Sequence, residues 1–143
     1  FGGSEIADST FYAARIVTPY RPRLVVLYAG DNDLANGKTP ARVFADYKDF
    51  VAAVRRKQPA TPVAFIAIKP SPARAHLMPL AKEANEMIKN YSSGEKNLLY
   101  IDVFTPMLGA DGQPRPELFG PDRLHMNKTG YEIWRVAVAP YLR

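Results

Sequence analysis

Apolar positions along the chain follow two rhythms that take turns. Residues 24–28 are a continuous apolar, β-branched run that predicts a strand buried on both faces, as in a parallel sheet, while 63–68 predicts a second buried strand and 98–103 a third. Between them apolar residues recur at helical spacing. Ile6, Phe11, Ala14 and Val17 predict a helix over 5–17 with Ser4 as its cap. Val43, Phe44, Tyr47, Phe50, Val51 and Val54 predict a second, opened by Thr39-Pro40 and running to about Arg56. Leu80, Ala84, Met87, Ile88 and Tyr91 predict a third over 79–91. Ile133, Trp134, Ala137 and Val138 predict a last one over 129–139, facing inward.

Strands alternating with helices over short connections imply right-handed βαβ units, hence an α/β fold with helices on both faces of a parallel sheet. Ligands of such sheets bind beyond the carboxyl ends of the strands. Three segments leave strands at that rim: the polar turn Gly30-Asp31-Asn32-Asp33, the Lys69-Pro70-Ser71-Pro72 turn, and a long loop at 104–127 rich in proline and glycine. Loops of that length in a compact domain tend to be functional. Its aromatic residues Phe104 and Phe119, with Tyr131 beyond it, either shape a pocket or anchor the loop.

Composition narrows the chemistry. The 143 residues make one domain with 47% hydrophobic and 23% charged residues, ordinary for a globular protein. With no cysteine, disulfides, thiolate metal sites and a thiol nucleophile are excluded, and the compartment stays open between bacterial cytoplasm and secretion. No apolar run reaches the roughly 20 residues of a membrane span. Nineteen basic against 14 acidic residues give +5, but only Arg55-Arg56-Lys57 is dense. That run suits the C-terminal end of a helix better than a nucleic-acid surface.

Two histidines are available. His76 stands in a loop with no carboxylate near it and reads as structural or solvated. His125 lies three residues after Asp122, so the carboxylate can hold one ring nitrogen while the other takes a proton from a nucleophile. Asp31, Asp33, Asp122 and His125 fit no metal-ligand spacing, and no cofactor is expected.

Three segments, in order, resemble one family. Gly2-Gly3-Ser4 precedes a helix, Gly30-Asp31-Asn32-Asp33 comes after a strand, and Asp122-Arg123-Leu124-His125 precedes the last helix. The chain resembles the SGNH (GDSL-type) hydrolases, flavodoxin-like esterases. The match covers nearly all of it, although Arg123 stands where the family commonly has glycine. The resemblance implies a Ser-His-Asp acyl hydrolase of small acyl esters, with His125 as base and Asp122 orienting it. Asn32 and Gly3 become oxyanion donors, and Ser71 and Asp31 line the substrate.

The resemblance also implies a departure. The family's first block, which carries the nucleophilic serine, precedes the glycine block at which this chain starts, so residues 1–143 read as a single domain lacking a strand-helix-strand portion. Of Ser4, Ser9, Ser71, Ser92 and Ser93, only Ser4 combines a helix N-terminus with neighbouring glycines, and it is the surrogate nucleophile. Against the family's strand order, residues 24–28 become an open apolar edge, expected to pair with a second copy or to be filled by an upstream segment. The alternatives are an inactive relative that binds ligand or self-associates, and a metal-dependent phosphoesterase.

Overall fold

The computed structural model describes Ile6 and residues 24–142. Gly3, Ser4 and the expected helix over 5–17 lie outside the described residues, apart from Ile6, which is helical and wholly buried. The described order is β1 (Val25–Leu27), α1 (Asp31–Ala35), α2 (Pro40–Lys57), β2 (Val63–Ile66), α3 (Met78–Ser93), β3 (Leu98–Ile101) and α4 (Lys128–Val138). Short 3-10 turns stand at Pro72–Leu77, Thr105–Met107, Pro116–Leu118 and Ala139–Leu142. The strands pair in parallel in the order β1-β2-β3, with Leu27 opposite Phe65 and Phe65 opposite Tyr100. Among the described residues no helix is long and apolar enough to cross a membrane.

The helices form for reasons visible in their ends and faces. Thr39 caps α2 by accepting the Arg42 N–H at 3.1 Å, Pro40 opens it, and Arg55, Arg56 and Lys57 close it. Its stripe of Val43, Tyr47, Phe50, Val51 and Val54 is buried. Tyr47 packs edge-on against Phe65 of β2 and Tyr91 of α3, at 5.5 and 6.3 Å between ring centres. Register then assigns the sheet faces: Val25, Leu27, Val63 and Phe65 point towards α2, and Val26 and Tyr28 point away.

That second face corrects two expectations. Residues 24–28 were expected to be buried on both sides, yet Val26 is 41% exposed between buried Val25 and Leu27. The last helix was expected to bury Ile133, Trp134, Ala137 and Val138, but these are only half-buried and Gly130 is its one buried residue among those described. The two findings have one cause. On this face Trp134 of α4 meets Tyr28, just past β1, edge-on at 4.6 Å, and Trp134, Ala137 and Val138 lie at the margin of the core rather than inside it.

The strand ends are shut off by specific groups. Asn85 of α3 turns its side-chain amide to Ile68, accepting its N–H at 2.8 Å and donating to its carbonyl at 3.1 Å. With both backbone groups of Ile68 taken, Pro70 and Pro72 lead the chain away onto the rim. The 104–127 loop is ordered by its own backbone, with antiparallel bridges Leu108–Pro114 and Phe119–Met126. Phe104 joins the main core and Phe119 a smaller cluster with Met107 and Leu118, so both anchor the loop, while Tyr131 is 57% exposed.

Candidate active site

Gly30 starts the first half of the site. Its φ of +117° is one that side-chain-bearing residues seldom adopt, and a Cβ there would come within 2.8 Å of the Ile68 side chain. Only glycine lets β1 pass so close to β2 and turn at once. The chain then enters a short helix, Asp31–Ala35, rather than the bare polar turn expected at 30–33. The helical turn sends its three polar residues in different directions.

Asp33 goes inward. It is fully buried and accepts the Ile6 N–H at 3.2 Å on both carboxylate oxygens, with Lys38 at 3.5 Å. Lys38 also holds Asp46 at 2.9 Å. Burial opposes the charge on Asp46, but hydrogen bonds from Lys38 and Arg42 outweigh it and hold its carboxyl below the ordinary carboxylate value. Asp31 goes to the rim, where Lys69 binds it at 3.1 Å and Arg74 at 2.9 Å. Asn32 lies between them and accepts from Arg74 at 3.2 Å.

The second half is the 116–127 loop. Asn127 caps α4 by accepting the Gly130 N–H and donates its amide to the carbonyls of Glu117 and Phe119 at 2.8 and 3.2 Å. A Cβ on Gly130 would collide with the Leu118 carbonyl oxygen and stand 2.9 Å from the Met126 Cβ. The helix can therefore sit directly under the loop only with glycine at that position. Above it, Asp122 bonds His125 Nδ1 at 2.6 Å through one carboxylate oxygen. The other oxygen accepts the N–H groups of Leu124 and His125 at 2.9 and 3.0 Å.

The His125 hydrogen bond, with those two backbone donors after it, lowers the Asp122 carboxyl to about 2. Asp122 is therefore ionised near neutrality and accepts the hydrogen bond of Nδ1–H, which leaves the Nε2 lone pair as the basic end. The ring is 78% exposed. Arg123 adopts φ +60°, so the turn keeps the shape that glycine would take most easily, with arginine in its place.

One backbone bond joins the halves: the Ala73 N–H donates to the Arg123 carbonyl at 3.0 Å. It puts the His125 loop beside the turn whose next residue, Arg74, reaches Asn32. Ser71, expected at the substrate, is 1% exposed, and its hydroxyl has no partner among the described residues. Asp31, expected there too, already carries two cations. Ser92 is buried at the far end of α3, bonded to the Ile88 carbonyl at 2.7 Å. His76 is exposed.

Among the described residues no group of three histidine, aspartate or glutamate side chains converges on a metal position. Asp31 and Asp33 point apart onto basic partners. Sequence reasoning missed Arg74 and Asn85. The available signal was a lone arginine just past a strand-ending Pro-Ser-Pro, on the rim that carries Asp31.

The GDSL-like Lipase/Acylhydrolase family model matches residues 3–133. The chain belongs to this family. No curated protein matches it. Among solved structures, a GDSL-like lipase from Bacteroides thetaiotaomicron superposes with a TM-score of 0.80 at 18% identity, covering 98% of this chain and 71% of that one. The OSK domain of Drosophila Oskar gives 0.82 at 16% identity, covering 99% and 71%. A Clostridium thermocellum family 3 carbohydrate esterase gives 0.75 at 17%, covering 99% and 68%. Against a Streptococcus pneumonia protein (TM-score 0.73, 19% identity) the chain spans 59% of the other's length and 84% of its own. At these identities the likeness is one of fold, and the fold is the α/β sandwich of this family.

Proposed function

We propose that this acylhydrolase-family chain cleaves small acyl esters by a Ser-His-Asp mechanism. His125 is the general base and Asp122 orients it, while the Asn32 amide and the Gly3 N–H donate to the tetrahedral oxyanion. The observation that carries the reading is the 2.6 Å bond from His125 Nδ1 to Asp122, on a loop whose Arg123 carbonyl accepts the Ala73 N–H beside the arginine that reaches Asn32. Asp122 stabilises the imidazolium formed when Nε2 takes the hydroxyl proton. Fixed donors at the oxyanion contribute about 3 kcal/mol each. Gly3 stands three positions before Ile6, whose N–H is held by Asp33, the neighbour of Asn32. Ser4, on the same segment, is the candidate nucleophile within this chain.

A second reading is ligand binding without turnover. In its favour, no hydroxyl among the described residues bonds His125 Nε2, and neither Ser71 nor Ser92 stands open on the rim. Serine-directed phosphonate labelling with mapping of the adduct decides. An adduct on Ser4 supports hydrolysis by this chain, and no adduct favours the binding module. Hydrolysis of p-nitrophenyl acetate that a chelator abolishes would instead point to the metal-dependent phosphoesterase class. Pairing with a second copy through 24–28 belongs to the same proposal: β1 is an edge of the described sheet, and light scattering that finds only monomer at high concentration removes it.

A further inference from the structure

We propose that Arg74 is the positioning residue of the site: its guanidinium grips the carbonyl end of the Asn32 amide and thereby aims the donor end. The inference rests on the reading of Asn32 as an oxyanion donor and adds to it the device that makes one amide rotamer the only one.

An asparagine side chain presents an oxygen and an NH2 group of nearly equal size, and a half-buried amide in a cleft can turn over between them. A donor that is wrong half of the time, or that swings, gives little to a transition state. Arg74 Nη1 lies 3.2 Å from Asn32 Oδ1 and 2.9 Å from Asp31 Oδ1. A guanidinium has only N–H donors, so the atom facing it must be the amide oxygen. Because the amide is planar, fixing Oδ1 on the guanidinium also fixes the direction of Nδ2, away from Arg74. The bond carries a formal charge on its donor, and it polarises the amide so that the N–H groups at the other end become better donors.

The arginine is itself held on three sides. Asp31 takes its charge on one carboxylate oxygen while Lys69 holds the other oxygen at 3.1 Å, which fixes the carboxylate as well as the guanidinium. The Arg74 N–H donates to the Ser71 carbonyl at 3.1 Å, and the preceding residue bonds Arg123 of the histidine loop. The Lys69, Asp31 and Arg74 side chains are only 9%, 15% and 21% exposed. Two cations against one carboxylate leave a net positive charge beside Asn32, the sign that favours a developing oxyanion. Thus one side chain sets the amide's direction, from a turn whose backbone is bonded to the histidine loop.

The test tracks the Asn32 side-chain NH2 resonances in the 15N-labelled chain, with acetate as the oxyanion probe, in the wild type and in Arg74→Gln, Arg74→Lys and Asn32→Ala. In the wild type the pair is expected to be displaced from free-amide values and to move with acetate. Arg74→Gln returns it towards free-amide values and weakens acetate binding about tenfold, as loss of alignment at a positioned group does. Arg74→Lys keeps the charge without the planar fork and restores only part of either.

In p-nitrophenyl acetate hydrolysis Arg74→Gln lowers kcat about tenfold at unchanged KM. It adds nothing further in the Asn32→Ala background. An Asn32 pair and an acetate response that survive both Arg74 substitutions overturn the positioning role. Acetate binding undiminished in Asn32→Ala overturns the oxyanion reading itself, a separate failure read from a separate variant.

Discussion

The two halves of the rim are built by opposite strategies. The Asp122–His125 pair is made within four consecutive residues, stands 51% and 78% exposed in its side chains, and owes its shape to backbone bonds inside its own loop. The Asp31–Asn32–Asp33 corner is made from afar. It draws on Ile6, Lys38, Lys69 and Arg74, up to 42 residues away in sequence. A local device needs only its own few residues to be right. The distant one needs the whole sheet to be in place first, so it ties this corner to the stability of the fold.

Substitutions that separate activity from stability break or sharpen this contrast. The largest effect is expected at His125. Replacement by alanine lowers p-nitrophenyl acetate hydrolysis about 10⁴-fold, while thermal unfolding stays within about 0.5 kcal/mol because the ring is exposed. A variant that unfolds early would show that the loop is no independent unit. Next comes Asp33→Ala, which strips a wholly buried carboxylate from the Ile6 N–H and Lys38. A loss of about 3 kcal/mol in chemical denaturation is expected, with activity falling alongside.

Gly30→Ala ranks third, at about 2 kcal/mol, because a Cβ meets both a strained φ and the Ile68 side chain. The smallest effect has the opposite sign. Arg123→Gly relieves a left-handed residue and raises stability by about 0.5 kcal/mol without loss of activity.

The pH response of the local half has a definite direction. A carboxyl lowered by its partners contributes above its ordinary value, and that contribution is lost only as pH falls through the lowered one. Asp122 stands at about 2, so its pairing with His125 holds at pH 4 and is released only near pH 2. The Nδ1 proton resonance of His125 tracks it. An acid limb of the activity profile well above pH 2 therefore belongs to some group other than Asp122, and release of the pairing near pH 4 would contradict the bond network around that carboxylate.

How much of this was legible divides along the same line. Asp122 and His125 could be paired from spacing alone, since i to i+3 in a turn brings a short carboxylate to an imidazole. The core stripes of α2 and α3 and the three parallel strands were readable because each repeats a period that only one element satisfies. The inward-facing reading of α4 went too far, because a stripe states what a helix is able to bury and not how much its neighbours cover. Val26 misled for a related reason: a run of apolar residues looks the same whether the sheet's second face is packed or open. The partners of Asp31 and the burial of Ser71 were not legible, since burial and partners at separations near 40 residues leave no local trace. Arg74 and Asn85 were missed on the same account.

Asn85 has one more consequence. Its amide closes both backbone groups of Ile68 from a position 17 residues downstream, so the end of β2 is stapled to α3 without help from β1 or from the 104–127 loop. In hydrogen exchange the Ile68 amide should therefore open together with α3, as one cooperative unit, while the Val25 amide exchanges on its own, faster schedule. The rim turn that carries Lys69 and Arg74 would then inherit the slow clock of a helix rather than the quick one of a surface loop.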